Sequence, residues 1–294
     1  MRITEVGNGK VVLIAGGGKV YTDVAARFCR SEKSLDEIIA TPYNRKLVET
    51  IIKSGHGAAM EFDWFIFGVE GYSRVTETQL VRKRHASYLI KSGRAELGGK
   101  RSFDVVLPTD PKIDRVLATT DLDIDQISLT NEETGEMVEL EDALKERYTK
   151  DDNWRADIHI DNYQLLSLME SFYDRAVAAG VKEEDARYYK PQATAFRAII
   201  GMNSHALNDW FRIRCCARAQ TEIRHLANSM LMLCKKAAPD LFMNAGPSCV
   251  EHGFCPELEQ CAERKGVVPT YEQYEHFKKN NPKYKEFLKE LMNS

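Results

Sequence analysis

The longest periodic stretch of the sequence extends from Ser204 to Lys236 and predicts one long amphipathic helix. Apolar residues recur in it at intervals of three or four, which places them on one face of a helix with 3.6 residues per turn. The residues on this face are Leu207, Trp210, Phe211, Cys215, Ala219, Ile223, Leu226, Met230 and Leu233. Such a face is typical of a helix that packs on the core of a globular protein.

Shorter patterns predict strands in the first half of the chain and mainly helices in the second half. The predicted strands are Lys10–Ala15, which we expect to be buried, Glu61–Gly71 and Phe103–Pro108. Further helices are predicted over 22–54 with a break at Thr41-Pro42, over 73–81, over 162–179 ending at Gly180, over 181–187 before Pro191, and over 270–291. Pro42 is expected at the first position of its helix. The glycines at 16–18 lack the Gly-x-Gly-x-x-Gly spacing of a dinucleotide site and predict a turn.

The composition indicates a globular protein. Of the 294 residues, 43% are hydrophobic and 29% are charged, and the net charge is -3, which argues against broad nucleic-acid binding through phosphate contacts. No apolar run approaches the roughly 18 residues that a membrane span requires, and the N-terminus lacks the apolar region of a signal peptide. We therefore expect a cytoplasmic protein without nucleic-acid or membrane partners.

The seven cysteines do not predict a disulfide framework in a chain of this length without an export signal. Cys249, Cys255 and Cys261 recur every six residues, which differs from the Cys-x2-4-Cys pairs of zinc sites. His252 is the one histidine near them in sequence. We expect reduced thiols in a loop-rich tail rather than a metal knuckle.

An acidic section covers residues 110–152. Asp121, Asp123 and Asp125 alternate with apolar residues, but the section lacks the glycine and the distal glutamate of an EF-hand. An exposed strand is therefore predicted there instead of a calcium loop. Asn131–Gly135 predicts a hairpin turn between strands at 127–129 and 137–140.

A basic cluster between Arg82 and Arg94 predicts a contact with an anion. Arg82, Lys83, Arg84 and His85 precede a Ser-Gly turn. Arginine side chains fit phosphate bidentately, and glycine lets a ligand approach the backbone closely. The alternative is a solvated basic helix end.

A second cluster of cations lies within the long periodic stretch. Arg214 and Arg218 are four residues apart, so they project from one face of a helix. They repel each other unless an anion or a carboxylate lies between them. The alternative is a pair of surface ion pairs, for instance with Glu222.

Separated blocks of the sequence resemble the flavin-dependent thymidylate synthase family. That family's signature is Arg-His-Arg, seven residues and Ser; here Arg82-Lys83-Arg84 is followed by seven residues and Ser92. The flanking matches are Gly55-His56 through Glu61, Ser73-Arg74, Gln79 and Gly93-Arg94. A second block consists of Asn203, ten residues, Arg214 and Ala219-Gln220-x-Glu222-Ile223, and Arg187 before Pro191 fits a third position.

The resemblance implies an α+β fold in which helices pack on a mixed β-sheet. It implies one catalytic domain over residues 1–245, with about 105–160 as an inserted acidic hairpin region, and a tail at 246–294 with a cysteine-containing loop and an amphipathic helix. It implies methylation of dUMP at C5 to dTMP, with methylenetetrahydrofolate as carbon donor, NADPH as reductant and FAD as the cofactor that delivers the hydride. A homotetramer with active sites shared between subunits is also implied.

The matched positions imply a role for each site residue. Arg214 and Ser92 are the predicted catalytic residues: Arg214 would stabilise charge on a pyrimidine carbonyl oxygen, and Ser92 would orient the substrate, since no base is evident to activate it as a nucleophile. The residues that the resemblance assigns to dUMP are Gln79, Ser92, Gly93, Arg94, Arg187 and Arg214. Those that it assigns to FAD are His56, Glu61, Arg82, Lys83, Arg84, Asn203, His205, Asp209 and Arg218.

Several of these positions carry residues that are unusual in the family. The departures are Lys83, Phe62 and Arg218 where histidine is common, His205 where arginine is common, Asp209 where asparagine is common, and Ile90 where glutamate is common. Changes on both sides of one site predict an altered flavin or substrate geometry. Two alternatives to thymidylate synthesis therefore stay open: a different C5 modification of a pyrimidine nucleotide, such as hydroxymethylation, and a nucleotide-binding scaffold without flavin catalysis.

Overall fold

The structure, a computed structural model, describes residues 2–18, 20–91, 104–107, 118–119, 128–130, 137–139, 157–158 and 162–280. The chain divides into two compact units, one formed by Met1–Pro108 with Gln192–Ser294 and the other by Thr109–Pro191. None of the helices in these ranges is long and apolar enough to span a membrane. The domain boundaries predicted near 105, 160 and 245 stay predictions.

Strands and helices follow one another irregularly along the chain. The strands are β1 (Arg2–Glu5), β2 (Lys10–Ala15), β3 (Trp64–Ser73), β4 (Ser87–Ile90), β5 (Asp104–Leu107), β6 (Ala118–Thr119), β7 (Ser128–Thr130), β8 (Met137–Glu139), β9 (Asp157–Ile158) and β10 (Ala195–Asn203). The α-helices are α1 (Thr22–Phe28), α2 (Leu35–Ala40), α3 (Arg45–Lys53), α4 (Arg74–Leu80), α5 (Asn162–Ala178), α6 (Glu183–Ala186), α7 (Ser204–Arg214), α8 (Thr221–Ala237), α9 (Ser248–His252) and α10 (Tyr271–Asn280). Short 3-10 helices cover Gly57–Phe62 and Arg187–Tyr189.

A four-stranded antiparallel sheet forms the centre of the first unit. Its strand order is β2-β3-β10-β4, and Ile200 of β10 pairs with Phe67 of β3 on one side and with Tyr88 of β4 on the other. The parallel pair of β1 and β5 adjoins it through a bridge between Val105 and Thr194. Parallel and antiparallel pairings therefore both occur, and the predicted α+β fold is confirmed.

Helices α7 and α8 cover one face of this sheet. Alternate strand residues face opposite sides of a sheet, so Phe65, Phe67 and Ile200 point into the core and are fully buried. Helix α8 packs on β2 and β3, and α7 packs on β10. The helix residues in the same core cluster include Leu207, Phe211, Ile223, Leu226 and Met230. The apolar face predicted from the periodicity is thus the buried face.

The opposite face of the sheet is uncovered in the described part of the chain. Val12, Gly68, Ile199 and Leu89 are paired directly across the four strands, and the three larger side chains are 41%, 45% and 71% exposed, in the order Val12, Ile199, Leu89. The bounds predicted for β2 are confirmed, but its predicted burial is wrong: Val11 and Leu13 are only partly buried against the core, and the other four residues are exposed. Strand β2 lies at an edge of the sheet and has only one face on the core.

Two elements of the second half differ from the predictions. Strand β10 was not predicted, because Arg197 and Gly201 on its outer face interrupt the apolar pattern of its inner face. The predicted single helix over 204–236 is two helices, since α7 ends at Arg214 and Gln220 caps α8 by accepting a hydrogen bond from the main-chain N of Ile223 (3.1 Å). Apolar positions keep their spacing across the break because both helices pack on the same sheet.

Smaller corrections concern where elements begin. Strand β3 begins at Trp64 instead of Glu61, because a 3-10 helix occupies 57–62. Helix α3 begins at Arg45, where the side chain of Asn44 accepts a hydrogen bond from the main-chain N of Leu47 (3.2 Å), so Pro42 is not its first residue. The predicted α4, α5 and β5 are confirmed within one or two residues.

The second unit contains the acidic section. Strands β7 and β8 pair antiparallel, with Ser128 opposite Glu139, as a hairpin between them requires. The predicted turn at 131–135 lies outside the described residues, and the insertion of this section relative to the family stays a prediction. Strands β6 and β9 form a second antiparallel pair.

A buried carboxylate joins α8 to α4 in the first unit. Glu222 is 2% exposed and accepts hydrogen bonds from the main-chain N of Ser73 (2.6 Å), from the Ser73 hydroxyl and from the Thr76 hydroxyl (2.8 Å). Ser73 is the N-cap of α4, so the negative charge lies where a helix dipole and unpaired N–H groups favour it. Glu222 therefore does not form the surface ion pair considered for Arg214 and Arg218.

The Glu222→Gln variant tests this connection. An amide keeps the size of the side chain but turns an NH2 group toward the donors of Ser73 and Thr76, so we expect the free energy of unfolding to fall by about 1–3 kcal/mol. Urea denaturation at neutral pH measures the change. The matched control is Glu49→Gln on α3, which loses a partly exposed ion pair with Arg45 and is expected to lose less than about 1 kcal/mol. Equal losses in the two variants would contradict the proposed connection.

Candidate active site

The predicted site residues lie in three parts of the chain, one of which is outside the described residues. Ser92, Gly93 and Arg94 lie outside the described residues, immediately after Lys91, whose main-chain N donates to the carbonyl of Arg197 (2.8 Å). Arg187 belongs to the second unit, where it is exposed at the start of a short 3-10 helix. The other predicted residues lie in the first unit, around α7 and the loop after α4.

Arg214 and Gln79 contact each other at the ends of their helices. Arg214 is the last residue of α7, and its guanidinium donates to Oε1 of Gln79 (3.2 Å) and to the main-chain carbonyl of Gln79 (3.4 Å). Burial lowers the pKa of Arg214, and the nearby positive charge of Arg82 lowers it further. No acidic side chain in the described ranges pairs with Arg214. The guanidinium is thus half-buried and oriented by neutral groups, which leaves its charge available to a ligand.

The loop of Arg82, Lys83 and Arg84 lies beside the middle of α7. Nζ of Lys83 is 3.5 Å from Oδ2 of Asp209 on α7. Arg82 and Arg84 are exposed, and within the described residues neither has an acidic partner. Among the described residues, the loop therefore presents Arg82 and Arg84 as cations without acidic partners, and Lys83 as a cation that Asp209 partly neutralises.

Asp209 belongs to a longer chain of charges. Its Oδ1 accepts from Nη1 of Arg212 (3.0 Å), and Arg212 also contacts Glu251 of α9, with 2.7 Å between Nη2 and Oε1. The hydrogen bond to Glu251 is the main reason why the pKa of Arg212 is raised. Arg212 and Glu251 were not predicted as site residues; their charge pair links the tail to α7.

Another group of predicted residues surrounds the N-terminus of α7. The main-chain N and the hydroxyl of Ser204 donate to the carbonyls of Asp63 and Met60 (2.7 Å each). Nδ1 of His205 is 3.5 Å from Oε1 of Glu61. Asn203 is the N-cap of α7, and its side-chain oxygen accepts from the main-chain N of Ala206 (2.8 Å). These contacts bring the predicted residues near 56–61 and 203–205 together.

The 3-10 helix approaches the ring of His205 closely at Gly57. A Cβ atom added to Gly57 would lie 2.5 Å from ring atoms of His205, which is far inside van der Waals contact. The adjacent His56 is exposed at the start of this helix. The family resemblance, not any local chemical pattern, was the signal for these positions.

Asp63 anchors this region and was not predicted. Its carboxylate is 5% exposed and accepts from the main-chain N atoms of Tyr21 (2.7 Å) and Thr22 (2.9 Å) and from the Thr22 hydroxyl (2.5 Å). A carboxylate within the apolar run Phe62 to Phe67 is the sequence signal that marks it, because a buried acid must have partners. Asp63 fixes the start of α1 against the start of β3.

Arg218 lies apart from the other predicted flavin residues. Its Nη1 donates to the carbonyl of Glu259 (2.8 Å) in the C-terminal segment, and no contact among the described residues joins it to the basic loop. It lines a cavity of about 290 Å³ between the turn after α7 and the tail.

Helix α7 sets the distance between the groups. At 1.5 Å per residue, the helix separates Ser204 from Arg214 by roughly 15 Å. The basic loop lies along it, joined to Asp209 near the middle and close enough to Arg214 for Arg82 to affect its pKa. The arrangement suits an elongated anionic ligand together with a smaller ligand that has carbonyl oxygens.

The chain is similar in sequence to known proteins of one family. A family model described as "Thymidylate synthase complementing protein" matches residues 16–240. The flavin-dependent thymidylate synthase of Clostridium tetani is 34% identical over 245 residues, covering 79% of this chain and 84% of that protein. The one of Nitratidesulfovibrio vulgaris is 34% identical over 213 residues, covering 72% and 73%.

The fold also resembles a solved structure. The UMP/dUMP methylase PolB from Streptomyces cacaoi, bound with 5-Br dUMP, superimposes with a TM-score of 0.57 at 16% identity, covering 83% of this chain and 96% of that one. At this identity the likeness concerns the fold alone. With the family model and the curated relatives, it leads to one conclusion: the chain is an enzyme of the flavin-dependent thymidylate synthase family.

Proposed function

We propose that this enzyme methylates dUMP at C5 to dTMP, with methylenetetrahydrofolate as the carbon donor, NADPH as the reductant and FAD as the cofactor. The observation that carries the proposal is the half-buried guanidinium of Arg214, which is held by the amide and carbonyl of Gln79 and has no acidic partner in the described chain. A cation held this way is matched to a ligand that becomes negative during the reaction.

Arg214 supplies charge stabilisation in this proposal. When C5 of the pyrimidine becomes nucleophilic, negative charge develops on a ring carbonyl oxygen. A prearranged donor at that oxygen lowers the barrier because it needs no reorganisation during the reaction. Gln79 orients the guanidinium and offers its own amide to the base.

FAD is the cofactor implied by the family, and the described residues fit it. Arg82 and Arg84 are exposed cations without acidic partners in the described ranges, which suits a diphosphate. A polar group at the N-terminal end of α7 consists of His56, Glu61 and His205. Lys83 adds a positive charge between this group and the two arginines. When bound, FAD supplies the hydride that reduces the transferred carbon; the chain's own residues bind it and orient it.

The remaining nucleotide contacts are carried over from the family signature. Ser92, Gly93, Arg94 and Arg187 are proposed to hold the phosphate and sugar of dUMP, and Ser92 to orient the substrate without attacking it. The support for this is the position of 92–94 directly after β4, which pairs with the central strand β10.

A different C5 modification, such as hydroxymethylation, is the second candidate reaction. The Lys83–Asp209 ion pair favours it, because the family commonly has histidine at the first of these positions and asparagine at the second. Ile90 likewise replaces a carboxylate expected near the nucleotide.

The family's homotetramer is proposed for this chain as well. The uncovered sheet face around Val12, Ile199 and Leu89 supports it, since a contiguous exposed apolar face is typical of a protein–protein interface. Sharing of active sites between subunits is part of the same proposal.

The Arg214→Ala variant tests the catalytic role. We expect kcat/KM for dTMP formation to fall roughly 100-fold, equivalent to about 3 kcal/mol of barrier, while urea denaturation stays close to that of the unchanged protein because Arg214 makes only half-buried hydrogen bonds. Arg45→Ala on α3, an exposed arginine with surface ion pairs, is the control and keeps full activity. Unchanged kinetics in Arg214→Ala would remove Arg214 from the mechanism.

A double-mutant cycle tests whether Lys83 contacts the flavin. Asp209→Asn removes the carboxylate that competes for Lys83, so we expect the Kd for FAD, measured by flavin fluorescence, to fall by roughly 3- to 10-fold, about 1 kcal/mol. In the Lys83→Met background the same change should have a smaller effect, because the Lys83 cation is gone and only the contact of Asp209 with Arg212 is altered. Weaker FAD binding in Asp209→Asn alone would instead make Asp209 part of the flavin site.

A further inference from the structure

Four cysteines from two parts of the chain line the cavity beside the end of α7. Cys216 lies in the turn between α7 and α8, Cys249 lies in α9, and Cys255 and Cys261 follow α9 in the tail. The cavity that they line has a volume of about 290 Å³. The proposed thymidylate chemistry assigns no role to these thiols.

The four thiols line one cavity, which lies between the turn after α7 and the tail. Cys215 also lines the cavity, but it is buried in the hydrophobic core with α7 and α8. Cys216, Cys249, Cys255 and Cys261 thus form one cluster, which we name the thiol cluster.

The tail around the thiol cluster has a defined backbone. The main-chain N of Cys255 donates to the carbonyl of Pro269 (2.9 Å), and Nε2 of Gln260 donates to the carbonyl of Val268 (2.6 Å). The main-chain N of Arg264 donates to the carbonyl of Cys261 (3.1 Å). These bonds close a loop that presents the cysteines to the cavity.

Arginines surround the same cavity. Its lining includes Arg212, Arg214, Arg218 and Arg264. Thiolates bound to a metal carry a net negative charge that nearby cations stabilise, and arginine also donates hydrogen bonds to sulfur. Glu257 and Glu263 also line the cavity, but the arginines outnumber them, so the lining favours an anionic, sulfur-rich group over four neutral thiols.

The spacing of the thiols distinguishes two kinds of thiolate-bound group. A zinc ion requires all its sulfur ligands at about 2.3 Å from one point. In the described chain, no three cysteine, histidine or acidic side chains converge closely enough to hold a single metal ion. A cluster of several metal atoms instead binds each cysteine through a different metal atom, so its ligands surround it, and these four thiols all line one cavity.

We propose that Cys216, Cys249, Cys255 and Cys261 bind a four-iron, four-sulfide cluster. The cluster would tie the tail to the turn that follows Arg214 and so hold the end of α7. The proposal goes beyond the proposed function and does not depend on it, since it involves no step of the methylation and assigns the cluster no electron transfer.

Metal and sulfide analysis of the full-length protein, purified or reconstituted without oxygen, tests the proposal. We expect about four iron atoms and about four acid-labile sulfides per chain, with a Mössbauer spectrum typical of such a cluster. Chemical analysis is needed because bound flavin absorbs in the same visible range. Less than about one iron per chain, or one zinc ion in place of iron, would overturn the proposal.

Cysteine variants locate the cluster. Serine at position 249, 255 or 261, as in Cys255→Ser, is expected to remove most of the iron and sulfide, whereas Cys29→Ser, at the exposed end of α1, should retain all of it. Full iron content in each of the three tail variants would also overturn the assignment. If a tail variant does not fold, the stoichiometry and Mössbauer spectrum of the unchanged protein still decide the question, and FAD binding and dTMP formation are scored separately.

Discussion

The position of Arg214 depends on the carboxylate of Glu222, which lies at the opposite end of helix α4 from Arg214. Glu222 holds the N-terminus of α4 through Ser73 and Thr76, and Gln79 near the C-terminus of α4 holds Arg214. Since α8 carries Glu222 and α7 carries Arg214, the three helices form a closed set of contacts around the buried face of the sheet. Contacts with the core therefore orient the proposed catalytic arginine.

Helix α7 connects the parts of the site. Its first turn is fixed to the 3-10 helix through Ser204, its middle carries Asp209 against Lys83, and its last residue is Arg214. A ligand that spans the length of this helix meets polar groups at one end and cations along its side. In the proposed function, this layout separates FAD binding from charge stabilisation at the substrate, with residues of α7 at both places.

The sequence predicts the elements with strong periodicity and misses those whose pattern is interrupted. The inward face of α7 and α8 followed from apolar spacing, but the break at Cys215 did not, because both helices pack on one sheet and keep the same spacing. Strand β10 was not predicted, because the outward-facing Arg197 and Gly201 interrupt its apolar pattern. In the site, the short motif around Arg82 and the Asn203–Arg214 spacing located the basic loop and α7.

Residues with purely positional roles were not predicted. Asp63, Arg212 and Glu251 act through partners more than 35 residues away in sequence, and a lone charge in a sequence does not name its partner. Glu222 was matched to the second family block and considered for a surface ion pair, but its burial was not predicted.

The mass of the product is the direct test of the proposed reaction. The purified enzyme is incubated without oxygen with FAD, dUMP, methylenetetrahydrofolate and NADPH, and the masses of the separated nucleotides are measured by mass spectrometry. We expect dTMP, formed at a rate that depends on Arg214. Recovery of unchanged dUMP, or of 5-hydroxymethyl-dUMP in place of dTMP, would contradict it.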